Sequence, residues 1–77
     1  MRKHGVSFLE AATVFGDPLA ITAPDRDHDV DEPREITFGL TEQGYLAVVA
    51  HVEQGNRMRI ISARRATTQE IRLYEQS

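Results

Sequence analysis

Tyr45-Leu46-Ala47-Val48-Val49-Ala50-His51-Val52-Glu53 and Arg57-Met58-Arg59-Ile60-Ile61-Ser62-Ala63-Arg64, separated by Gln54-Gly55-Asn56, decide the fold of this chain. Both runs are rich in β-branched and aliphatic residues and are bounded by turn formers, as the strands of a hairpin are. Loop length sets which side chains share a face. A two-residue loop would group Leu46, Val48 and Val52 with Arg57 and Arg59. A three-residue loop places Glu53 opposite Arg57, His51 opposite Arg59 and Val49 opposite Ile61. It collects Leu46, Val48, Ala50 and Val52 with Met58, Ile60 and Ser62 on the other side. A one-residue slip transfers every side chain to the wrong face, so burial favours the three-residue loop. Asn56 can take the left-handed conformation that it needs. The expectation is a wet face carrying His51, Glu53, Arg57 and Arg59, with His51 and Arg59 as cross-strand neighbours.

Working outward, Arg34 to Leu40 alternates, with Ile36, Phe38 and Leu40 on one side, and predicts a further strand. Leu19 to Thr22 is a short strand candidate. Ser7-Phe8-Leu9-Glu10 reads as a capping box opening a helix from Phe8 to Phe15, with Leu9, Ala12 and Phe15 as its apolar stripe and a stop at Gly16-Asp17-Pro18. Thr67-Thr68-Gln69-Glu70 is a second capping box, opening a helix through Tyr74 with Ile71 and Tyr74 inward. The predicted class is α+β: short helix, four-stranded antiparallel meander, C-terminal helix, in a single domain spanning residues 1–77. Pro24 to Pro33 reads as a solvated acidic loop. Its alternating Asp25, Asp27, Asp29 and Asp31 suggest a calcium loop, but that needs Gly at the sixth position and Glu at the twelfth. Val30 and Ile36 stand there, so no metal and no cofactor are expected.

The chain has 77 residues and no cysteine. Disulfides and thiolate metal sites are therefore excluded, and a domain of this size has a thin core that a partner commonly supplements. No apolar run is long enough to cross a bilayer, so no membrane role is expected and a cytoplasmic location is. The net charge of −3 hides segregation. Asp17 to Glu35 is strongly acidic, whereas Gln54 to Ser77 holds five arginines against Glu70 and Glu75, a balance of 5 − 2 = +3. Arg2 and Lys3 make the amino-terminal end basic too. Two basic ends around an acidic middle are the informative quantity.

Lys3-His4-Gly5-Val6-Ser7-Phe8, Ala11-Ala12, Phe15, Asp17-Pro18 and Leu19-Ala20 resemble the opening of BrnT-type toxins, and Arg59-Ile60-Ile61-Ser62-Ala63-Arg64-Arg65-Ala66-Thr67, with Glu70 and Tyr74, resembles their close. Asp25, His28, Glu32 and Arg34 fall where that family has its acidic loop. The resemblance implies a RelE-like fold and a metal-independent endoribonuclease that arrests translation. It also implies a dimeric ribbon-helix-helix antitoxin, with operator DNA reached only through that antitoxin. Family members carry a strand and a Trp-Asp-Pro segment before the first helix. Met1 stands where that lead-in would be ending, so the domain is expected to be N-terminally short and to self-associate when isolated. Partner binding is expected along a sheet edge or an apolar patch beside the first helix.

RNA can be cut without a metal when its own 2′-hydroxyl attacks the neighbouring phosphorus. The protein then has to neutralise growing negative charge and move one proton. Arginine suits the first task because its planar fork grips two phosphate oxygens and stays charged. Arg59 and Arg64 are the candidates for this role, which the resemblance strengthens. His51, on a strand and with a reference pKa near neutrality, is the candidate for the second. Lys3, His4, Arg57 and Arg65 are candidates for holding the RNA backbone. Each has a plainer reading: exposed arginines decorate many sheets, and a strand histidine is often a passive neighbour. A competing function is a non-catalytic module that docks an antitoxin-like partner and modulates DNA repression.

Overall fold

A computed structural model describes residues 2–3, 6–25 and 33–76, leaving His4 and most of the acidic loop outside the described residues. The elements run β1 (Arg2–Lys3), β2 (Val6–Ser7), α1 (Phe8–Ala12), a 3-10 turn (Thr13–Gly16), β3 (Ile21–Pro24), β4 (Arg34–Leu40), β5 (Leu46–Gln54), β6 (Arg57–Arg65) and α2 (Thr68–Glu75). β3-β4-β5-β6 form the antiparallel meander expected, and β1 pairs with β2 in a small ribbon that the sequence pattern did not signal. The architecture is α+β, and within it several details differ from expectation.

The hairpin register is the first. β5 and β6 are joined by a two-residue turn, Gly55-Asn56, with Gln54 opposite Arg57, Glu53 opposite Met58 and Val52 opposite Arg59. Gly55 sits at φ +64, which a tight turn of this kind demands of its first central residue. A β-bulge then intervenes: His51 pairs with Ile60 but Ala50 pairs with Ser62, so Ile61 is the extra residue. A bulge shifts the pleat by one position. It lets the tight turn coexist with burial of Ala63 further along the strand. The three-residue loop is therefore wrong, and so is the shared face of His51 and Arg59. His51 lies on the side of Ala47, Val49, Ala63 and Arg65; Arg59 lies on the side of Val48, Ala50, Ser62 and Arg64.

α1 covers the first of these sides. The core is Val6, Ala11, Val14, Ala47, Val49 and Ala63, with Tyr45 and Ile60 packed against it. Small side chains let the helix approach the sheet closely, and Leu46 and Val48 are left only half-buried on the opposite side. The expected stripe of Leu9, Ala12 and Phe15 is likewise displaced. Ala11 and Val14 point inward, while Leu9 is 83% exposed. The α-helix ends at Ala12 and tightens to a 3-10 turn, which rotates the later residues. Ser7 does cap it, its hydroxyl accepting from the Glu10 N–H at 3.1 Å.

Asp17 organises the other end. One carboxylate oxygen accepts from the Leu19 N–H at 2.9 Å, holding Pro18-Leu19 in a turn and delaying β3 to Ile21. The other accepts from the Leu40 N–H and from the Tyr74 hydroxyl, each at 2.8 Å. The Leu40 and then the Leu19 amides hold its pKa below the usual carboxylate value. Tyr74 also meets Phe38 edge-on at 5.5 Å, which seats α2 at the Phe38 end of the uncovered sheet face. Ile71 and Tyr74 are half-buried, as their spacing implied.

Candidate functional site

The bulge has a chemical result. On the sheet face away from α1 the rows across β4, β5 and β6 are Arg34–Val52–Arg59, Ile36–Ala50–Ser62 and Phe38–Val48–Arg64, with Gln54–Arg57 beyond them at the hairpin tip. Four guanidinium-bearing positions thus share one face, where the sequence pattern predicts only Arg57 and Arg59 together. Had the strand continued without its extra residue, Arg57 and Arg59 would face opposite to Ser62 and Arg64.

A concavity of about 260 Å³ lies on this face, lined by Asp25, Ile36, Val48, Ala50, Ser62, Ala63 and Arg64. Its floor is apolar and its rim holds a hydroxyl, a carboxylate and a guanidinium. Arg64 is held rigidly for a surface arginine. Its Nη1 and Nη2 donate to Oε1 and Oε2 of Glu70, both at 2.8 Å, and Nη1 also donates to the Arg65 carbonyl at 3.2 Å. Glu70 Oε1 further accepts from the Thr67 N–H at 2.8 Å, and the Thr67 hydroxyl accepts from the Glu70 N–H at 3.2 Å, completing the capping box of α2. The Arg64 hydrogen bonds, against the cost of burial, hold the Glu70 carboxyl down to about 2, and the Glu70 carboxylate raises the Arg64 guanidinium in return.

The remaining sequence candidates are dispersed. His51 is only 2% exposed. Its ring meets Phe15 edge-on at 5.0 Å, and its Nε2 lies 2.7 Å from the Thr37 hydroxyl. Thr37 in turn lies 2.7 Å from the hydroxyl of exposed Thr22. Nδ1 of His51 has no partner. Placing the proton on Nε2 leaves only a lone pair unmatched there, rather than a buried donor. Burial lowers the pKa of His51, outweighing the opposing pull of the Glu35 and Glu53 carboxylates. Arg65 lies on the α1 side, its guanidinium carbon 3.9 Å from the centroid of the Tyr45 ring, whose hydroxyl donates to Glu10 at 2.8 Å. Lys3 is in β1, and His4 lies outside the described residues. The structure therefore brings Arg57, Arg59 and Arg64 to one face and sets His51 and Arg65 on the other.

Sequence reasoning missed Ser62, Asp25 and Arg34 as neighbours of these arginines. Ser62 was assigned to an apolar face by the wrong register. The one usable signal was that a serine suits a half-exposed concavity better than a core.

A small α+β domain presenting arginines, a hydroxyl and a carboxylate around an apolar hollow has the chemistry of an anion-binding module. Comparison by sequence is more specific: residues 1–70 match the family described as the ribonuclease toxin BrnT of type II toxin–antitoxin systems, and the chain belongs to that family. No curated protein matches it. Membership in a type II system implies an antitoxin partner. No helix among the described residues is long and apolar enough to cross a membrane.

Proposed function

We propose that this chain is an endoribonuclease that cuts RNA on the open face of its sheet, without a metal ion, and thereby arrests translation. The observation that carries this reading is the shared face of Arg34, Arg57, Arg59 and Arg64 around the Ser62 concavity. Arg59 and Arg64 hold the non-bridging oxygens of the scissile phosphate, and Arg57 follows the backbone toward the hairpin tip. Ser62 donates to a phosphate oxygen. Asp25 takes the proton of the 2′-hydroxyl as the 2′-oxygen–phosphorus bond forms. It returns that proton to the 5′-oxygen as the phosphorus–5′-oxygen bond breaks, leaving a cyclic phosphate and a 5′-hydroxyl. Preorganised cations of this kind act where charge develops. Lys3, His4 and Arg65 are further candidates for holding the RNA backbone, Arg65 from the α1 side of the sheet. A catalytic part for His51 would run through the hydrogen-bonded path from His51 by Thr37 to Thr22.

The overall frame is RelE-like, the location is cytoplasmic, and the antitoxin is a ribbon-helix-helix dimer that also carries the pair to operator DNA. Phe8, Leu9, Phe15 and Leu19, at 42%, 83%, 37% and 70% exposure, offer that antitoxin apolar contacts around α1. The experiment is cleavage of RNA by the purified chain with and without a chelator, with product ends determined. Arg59→Ala is expected to lower kcat/KM by about 100-fold or more while the melt is unchanged. Chelator-sensitive cleavage would remove the metal-free reading. A folded wild type that binds antitoxin and leaves RNA intact would establish the docking-module alternative.

A further inference from the structure

We propose that Glu70 is a positioning residue for Arg64, so that the amino-terminal turn of α2 sets the geometry of the concavity on the sheet. The inference rests on the reading of that concavity as the RNA site. The end-on grip of Glu70 engages Nη1 and Nη2 of Arg64, and the Arg65 carbonyl takes the second Nη1 hydrogen. Among the described residues, the Nε–H and the outer Nη2–H remain, and these two form the side edge of the guanidinium. Two parallel N–H groups on one edge match two oxygens of a phosphate.

The clamp is made rigid from both directions. Glu70 is pinned by the Thr67 N–H and by the helix that it opens, so its carboxylate has little rotational freedom. Arg64 is the penultimate residue of β6, so its backbone is fixed by pairing with Val48. An arginine on an open sheet normally explores many rotamers, and holding one geometry costs entropy. Glu70 meets that cost in the folded protein, before any ligand arrives. Because Arg64 and Glu70 are oppositely charged and paired, Arg64 adds directed donors with little net charge. General attraction of RNA is left to Arg34 and Arg57.

That division gives the test its sign. Glu70→Gln removes a negative charge beside the concavity, so electrostatics alone would tighten RNA binding and leave turnover intact. Positioning requires the opposite separation: KM unchanged or lower, with kcat reduced by between about tenfold and 100-fold, as misplacement of a reacting group does. Thr67→Ala is the control, since it weakens the same cap but keeps the Arg64–Glu70 pair. It should lower the melting temperature and leave kcat within about twofold of wild type, a shift well below that of misplacement. Arg64→Lys keeps the charge but lacks the side edge, and should fail to restore the turnover lost in Arg64→Ala. Glu70→Asp, which keeps the charge and shortens the reach, takes the place of Glu70→Gln if that variant does not fold. An unchanged kcat in the Glu70 variants alongside an inactive Arg64→Ala overturns the positioning role alone. Full activity in Arg64→Ala overturns the RNA site on which it rests.

Discussion

Replacing Thr37 by valine should destabilise the domain through His51. The two side chains have nearly the same shape, so Thr37→Val leaves no cavity and changes only hydrogen bonding. Thr37 is 1% exposed and its hydroxyl serves both Thr22 and His51 at 2.7 Å. Thr22 is exposed and can turn to water, so its loss is small. His51 cannot: with Nδ1 already unmatched, both ring nitrogens would be buried without a partner. An orphaned buried donor costs about 1–3 kcal/mol. For a domain of this size each kcal/mol lowers the melting temperature by about 4–8 °C, so a loss near 2 kcal/mol corresponds to about 8–16 °C. Thr37→Val combined with His51→Leu should recover most of this, because removing both partners leaves no polar group to satisfy. Calorimetry of the single and double variants decides the matter. A Thr37→Val melt within about 3 °C of wild type, too small for an orphaned donor, would refute the buried Thr–His pair.

Stability should also respond to pH in separate windows. The folded pKa of His51 is depressed below 6.5, so its contribution is fully present above that value and is lost as pH falls and the unfolded chain takes up the proton. The melting temperature should rise as pH increases toward 6.5 and level off above it, with less slope in His51→Leu. Glu70, at about 2 folded against 4.5 unfolded, contributes stability that is lost as pH falls from 4.5 toward 2; Glu70→Gln should flatten that window. Gly39→Ala should cost about 1–3 kcal/mol by denaturant melt, because its Cβ would stand 3.0 Å from the Ala20 Cβ and 3.3 Å from Asp17 Oδ2.

Order and type of elements were legible in the sequence wherever a local signal existed. The Thr67–Glu70 capping box and the alternation from Arg34 to Leu40 each rest on residues close in the chain. The faces of the sheet were not legible. A bulge leaves no mark in composition, and two consecutive isoleucines, Ile60 and Ile61, fit either parity equally well. The charge sorting that favoured His51 beside Arg59 fails at the turn, where the two-residue Gly55-Asn56 loop sets Val52 opposite Arg59, and Ile61 then shifts the residues beyond. The first helix misled for a related reason: Leu9 is the larger apolar residue, but close approach to Ala47, Val49 and Ala63 selects Ala11 and Val14. For the site, arginine identity was readable while arginine company was not, since Ser62 and Arg34 join it only through the true register.

Asp17 joins amides and a hydroxyl separated from it by 2, 23 and 57 positions. A chain emerging from its amino end therefore completes this joint in three widely spaced stages. The Leu19 turn can form as soon as it is made, the Leu40 contact must await β4, and the Tyr74 contact must await α2. Until then the carboxylate keeps one oxygen in water. Domains acquire their contacts in the order of synthesis where the contacts allow it. Here the same late segment that closes the joint also brings Glu70 to Arg64, so the concavity takes its final geometry only when the helix behind it has been made.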